Sequence, residues 1–143
     1  MASWRDAASQ QAQDDLDGLV NAALPFAQQM LDKHGEFFPF AVAVDLHSDI
    51  RMILGDPDLG ERPPSAEVLS TILHQFRRIR DEFRAVARVA DVRAADSGAV
   101  RFELEHSEGP SMAVFLPYKK RRLRSGVEYG SLAATVAAPA VWM

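Results

Sequence analysis

The spacing of the apolar residues changes abruptly at Gly35, and that change limits the folds open to the chain. Upstream, Leu16, Leu19, Val20, Ala23, Leu24, Ala27, Met30 and Leu31 recur every three or four positions, which predicts one buried face of a helix over residues 14–34. Downstream, Phe38, Phe40, Val42, Val44 and Leu46 recur every second position, with Phe37, Pro39, Ala41 and Ala43 between them. That is the period of a strand, and its two apolar faces place it centrally in a sheet. Gly35 supplies the helix stop. Pro25 lacks an amide donor and clashes with the preceding turn, so a kink or a second helical segment is expected there. Pro39 sits near the strand's beginning, where a missing ladder donor is tolerable.

His47-Ser48-Asp49 forms a turn, and Ile50, Met52 and Leu54 supply a hairpin partner ending at Gly55. Residues 55–64 hold five Gly or Pro in ten positions and read as a loop. Ser65 is placed to cap a second helix and Glu67 to complement its dipole, while Val68, Leu69, Ile72, Leu73, Phe76, Ile79 and Phe83 form its buried stripe. Val86–Ala94 then reads as a strand and Ala95–Gly98 as a turn. In the next strand Val100, Phe102 and Leu104 alternate with Arg101, Glu103 and Glu105, which predicts one exposed face. Met112–Tyr118 is nearly continuous apolar sequence and predicts a strand covered on both faces, followed by a basic run and a short strand near Val127–Gly130. The order is α-β-β-α-β-β-β-β. The expected fold is α+β: a two-layer sandwich of two main helices packed on a mostly antiparallel sheet.

At 143 residues the chain fits a single α+β domain spanning residues 1–143. The absence of Cys excludes disulfides, thiolate zinc sites, iron–sulfur clusters and cysteine nucleophiles. The first fifteen residues contain no apolar core for a signal peptide. The longest uncharged stretches, Gly18–Leu31 and Tyr129–Met143, have 14 and 15 residues. Both are shorter than the roughly 18 that would suggest a membrane span. A cytoplasmic protein with no membrane association is expected. Residues 1–64 carry eleven acids and four bases, net −7, and residues 65–143 carry nine acids and twelve bases, net +3.

The densest charge feature is Lys119, Lys120, Arg121, Arg122 and Arg124, directly after Tyr118. Such a run can hold phosphate, and an adjacent aromatic can stack on a base, so an anion or nucleic-acid site is one reading. A solvated hairpin whose charge discourages edge pairing is the plainer one, and nucleic acid is not favoured. On the second helix, Arg77 and Arg78 stand four residues before Asp81 and Glu82 and can pair with them. His34, His47, His74 and His106 lack ligand spacing, so no metal and no cofactor are expected. His47-Ser48-Asp49 has the residue types of a hydrolase triad, but three consecutive turn residues cannot align nucleophile, base and orienting acid. No Gly-x-Ser-x-Gly elbow or phosphate-cradling loop is present. An enzyme would have to assemble residues distant in sequence, such as His47, Asp49, Tyr118 and Glu128.

Ser131–Met143 is uncharged, with Leu132, Val136, Val141 and Trp142 among its alanines. It is too apolar for a free tail and is expected to dock on its own domain or on a partner. Glu36-Phe37-Phe38-Pro39-Phe40 after a helix, with Phe115-x-Pro117-Tyr118 and Glu128-Tyr129-Gly130, resembles a group of small bacterial proteins of unknown function. That resemblance implies the same α+β fold and no established activity. With catalytic motifs absent, the expected function is a non-catalytic homodimeric interaction or binding module. Leu132, Val136, Val141 and Trp142 are its candidate interface, and another protein is an alternative partner.

Overall fold

The computed structural model describes residues 8–54, 65–94, 97–121 and 127–142. The first helix, α1 (Gln10–His34), starts four residues before the expected position 14 because Ser9 caps it: its hydroxyl accepts from the Ala12 amide at 3.1 Å. The helix runs through Pro25 as one element, so no second segment begins there. It ends at Gly35, whose φ of 71° suits a residue without a Cβ and lets its amide bond to Leu31 O at 2.8 Å.

The rest of the chain follows the expected order: β1 (Phe40–Asp45), β2 (Ile50–Leu54), α2 (Ser65–Ile79), β3 (Phe83–Ala94), β4 (Ser97–His106), β5 (Ser111–Lys120) and β6 (Val127–Tyr129). One turn of 3₁₀ helix, Arg80–Glu82, joins α2 to β3. A further short strand, β7 (Ala133–Val136), lies within the uncharged C-terminal stretch. The predicted loop 55–64 and the turn residues 95 and 96 lie outside the described residues.

All pairings are antiparallel, in the order β2-β1-β3-β4-β5-β6, with β7 also on β5. β6 and β7 run one after the other along the same edge of β5: β6 covers Tyr118–Lys120 and β7 covers Met112–Phe115. Three residues, Gly130 to Leu132, span a step that takes two on β5, so the edge carries one extra residue there.

The helices take opposite faces of the sheet. Leu16, Leu19, Ala23, Ala27 and Leu31 of α1 pack on Phe40, Val42, Val44, Ala87, Val89, Phe102, Leu104 and Met112. Val68, Ile72 and Phe76 of α2 pack on Ala41, Ala43, Phe83 and Val86, together with Val141 from the C-terminal segment. Period two along β1 explains this: its odd and even residues feed different clusters, and all six are buried. The predicted central strand is therefore covered on both sides. Phe37 and Phe40, from the α1–β1 junction, meet edge to face at 5.7 Å between ring centroids.

β4 departs from the predicted alternation. Its first half is partly exposed, but Glu105 and His106 are both buried. Two polar clusters at that end of the sheet account for them.

Candidate functional site

The first cluster holds the C-terminal segment. Glu105 lies on the α2 side of β4, opposite Val86, at 2 % exposure. Its carboxylate accepts from three consecutive backbone amides: Ala140 at 2.8 Å, Val141 at 2.9 Å and Trp142 at 3.3 Å. Successive N–H groups converging on one point form a concave anion site, here filled by the chain's own carboxylate. Arg88 Nη2 stands 3.6 Å from Glu105 and 2.7 Å from Glu103, which also pairs with Arg101. From the other side, Arg77 and Arg80 donate to the carbonyls of Ala140 and Val141 at 2.7 and 3.3 Å. Between these two sets of bonds Val141 is fully buried in the α2 cluster, with Trp142 half-buried against it.

The four expected interface residues thus divide. Val141 and Trp142 pack within their own chain. Leu132 and Val136 stay on the surface at 52 % and 88 % exposure, and all four residues of β7 are exposed. Ala137 donates to Ser111 O at 3.3 Å, so residues 137, 135 and 133 point their backbone groups at β5. Ala134 and Val136 then direct theirs away from the sheet. Among the described residues, β7 pairs with β5 alone. Behind it, between α1 and β5, lies an open cavity of about 410 Å³ whose lining includes Leu16, Val20, Met112 and Leu132 together with the polar Asp17 and Asn21.

The second cluster closes the opposite side of the same sheet end. Val44 pairs with Ala85 and Asp45 with Phe83, which leaves Arg84 as an extra residue on β3. A bulge re-aims such a side chain. Arg84 reaches Asp15 of α1 through Nη2 at 2.8 Å and Nε at 3.1 Å, and Ser48 Oγ through Nη1 at 2.9 Å. Asp15 Oδ2 also meets His106 Nε2 at 2.8 Å. Burial opposes ionisation of Asp15, but the hydrogen bonds from Arg84 and His106 outweigh it and hold its pKa below the usual carboxylate value. The same pairing raises Arg84.

Serine, histidine and aspartate meet here without forming a nucleophilic relay. The His106 Nδ1 accepts the Glu108 amide at 3.1 Å, which assigns the proton to Nε2 and leaves the ring no free lone pair to act as a base. Ser48 faces Arg84 and not the imidazole. The cluster acts as a knot tying α1 to β3, β4 and the β1–β2 turn. Asp45 holds that turn by accepting from the His47 and Asp49 amides at 2.8 and 3.0 Å and pairing with Arg51 at 3.0 Å. Ser48 is left with a φ of 72°.

The residues weighed for a dispersed enzyme site do not come together. His47 and Asp49 lie in the turn at the His106 end of the sheet, whereas Tyr118 pairs with Gly98 and Glu128 with Lys119 at the other end. The eight residue steps along β4 from Gly98 to His106 span about 27 Å. Among the described residues no group of three His, Cys, Asp or Glu is placed to hold a metal ion, and no helix is long and apolar enough to cross a membrane.

Of the basic run, Lys119, Lys120 and Arg121 are exposed, and Arg122 and Arg124 lie outside the described residues. Tyr118 turns inward. It is buried, and its hydroxyl donates to Asp91 across Gly98, where a Cβ would come within 2.7 Å of the phenol oxygen. The ring that would have stacked on a base is part of the core. Tyr129, on the neighbouring strand, is pushed up to about 12 by burial and by the negative charge of Asp32.

Sequence reasoning missed Asp15, Arg84 and Glu105. Asp15 falls on the buried stripe of α1 one position before Leu16, which was the available signal. Nothing local marks Arg84 or Glu105, because a bulge and a docked terminus depend on distant segments. No family model matches the chain, and no curated protein or solved structure matches it either.

Proposed function

We propose that the protein is a non-catalytic, homodimeric interaction module whose working surface is the free edge of β7. The observation that carries this reading is an edge strand with no charged residue, exposed along its length, and bearing Val136 at 88 % exposure. Sheet proteins protect such edges with charge, proline or a covering element, because unpaired backbone groups recruit another strand. Here the edge is presented instead. It is also held in place, since Glu105, Arg77 and Arg80 fix the chain just beyond it. A rigid edge loses little conformational entropy on pairing.

The test is native mass spectrometry of the full chain beside its Val136→Lys variant. The unaltered protein is expected as a dimer. Lysine on each copy places two positive charges in the contact, and a dimer weakened about 100-fold is expected, with the monomer still folded. A monomeric unaltered protein, or a variant as dimeric as its parent, would overturn the reading. Deleting residues 131–143 is a poorer test, because it also uncovers the Val141 site and strips Glu105 of its three donors.

A further inference from the structure

We infer that the two copies pair β7 to β7, antiparallel, with the two-fold axis at Ala134. This rests on the dimeric reading above and adds its register. The backbone groups of Ala134 and Val136 point away from β5, and Leu132, where the extra residue of the edge ends, lines the same cavity as Ala134. An antiparallel ladder between two identical strands bonds outward-facing residues to outward-facing residues. It can be centred on Ala134, pairing Leu132 with Val136, or on a neighbour: Thr135 pairs Ala134 with Val136, Ala133 pairs Leu132 with Ala134, and Val136 pairs with itself, and of these only the Ala134 centre sets Leu132 beside Val136.

The side chains decide between them. Leu132, Ala134 and Val136 share the α1 face of the sheet, because Ala134 and Val136 stand opposite Val114 and Met112 of the α1 cluster. Centred on Ala134, the ladder sets Leu132 of each copy beside Val136 of the other, so both large exposed apolar residues of the edge are covered twice over. Centred on Thr135, it sets Val136 against an alanine and leaves Leu132 opposite Ala138. The first arrangement also brings Val136 of the second copy to Leu132, on the rim of the cavity between α1 and β5. No charge lies between Ser131 and Met143, so two identical segments meet without repulsion. A contact in which each residue meets its symmetry mate or exchanges partners closes at two copies.

The absence of Cys makes the register directly readable. In full-length single variants, Ala134→Cys and Thr135→Cys, each chain carries one thiol. Residues paired across an antiparallel ladder have Cα atoms about 4.5–5.5 Å apart, within disulfide reach. Under mild oxidation Ala134→Cys is expected to give a covalent dimer, with Thr135→Cys left mostly as monomer on denaturing gels. The double variant Leu132→Cys/Val136→Cys is expected to cross-link as well, which guards against one poorly aligned thiol pair. Cross-linking through Thr135→Cys in a protein that remains dimeric by native mass would overturn the register and leave the edge reading intact. A native dimer that none of these thiols links would place the contact elsewhere, and a native monomer would remove both.

Discussion

The sheet ends in β2 on one side and in β6 and β7 on the other; β2 and β7 are each anchored by a buried carboxylate, and these two edges differ in what that carboxylate holds. Asp45, 3 % exposed, binds the turn amides and also Arg51, so β2 displays a cation whose side chain is 61 % exposed. Glu105 binds only backbone amides of the segment beyond β7 and the Arg88 behind it, and β7 displays no charge. Exposed Ile50 and Met52 show that β2 is no less apolar than β7. The difference lies in one fixed charge. A cation on an edge opposes pairing with a like strand, whereas a neutral edge held rigidly from behind is ready to pair.

Breaking the β7 anchor has the largest expected effect. Glu105→Ala leaves the buried Val141 amide and its two neighbours without their acceptor, while Arg88 keeps Glu103, and a loss of about 3 kcal/mol is expected in urea unfolding. Hydrogen exchange should accelerate at the amides of residues 140–142, and unchanged protection there would show that Glu105 does not hold the segment. Glu105→Gln keeps one acceptor oxygen and should lose less.

Acid tests the β2 anchor and the Asp15 knot together. Burial works against ionisation of Asp45, but the amides of Asp49 and His47 lower its pKa more, and Asp15 is lowered as well. Both groups therefore contribute stability that is complete above their unfolded value of 3.8 and is lost as pH falls through their lower folded values. The urea midpoint should hold between about pH 7 and 5 and fall below about pH 4. Asp15→Asn should flatten part of that fall, and an identical acid profile in the variant would contradict the role given to the knot.

The smallest effect sharpens the edge comparison itself. Arg51→Val removes the displayed cation from β2, and because an exposed ion pair contributes little, folding stability should change by less than about 1 kcal/mol. Self-association should nevertheless increase, read as species larger than those of the unaltered protein by analytical ultracentrifugation. If it does not, the charge on β2 is not what keeps that edge unpaired.

Much of this molecule is local in origin. The change of period at Gly35, the Ser9 and Gly35 caps and the two-sided apolar run of β1 decide the element types and their order, because each depends on neighbours within one or two turns of chain. The antiparallel α+β class follows from them. The sites were not legible in that way. Alternation along β4 marked Glu105 as exposed, and only the return of residues 140–142 to that face buries it. Tyr118 stood beside five bases in sequence, yet its ring enters the core because Gly98 clears a path to Asp91. Arg84 meets Asp15 across 69 residues of chain, through a bulge that pairing with β1 creates. Spacing along the chain determines which face a side chain can occupy. Whether that face meets water, a helix or the chain's own terminus depends on contacts between distant segments, which only the tertiary structure decides.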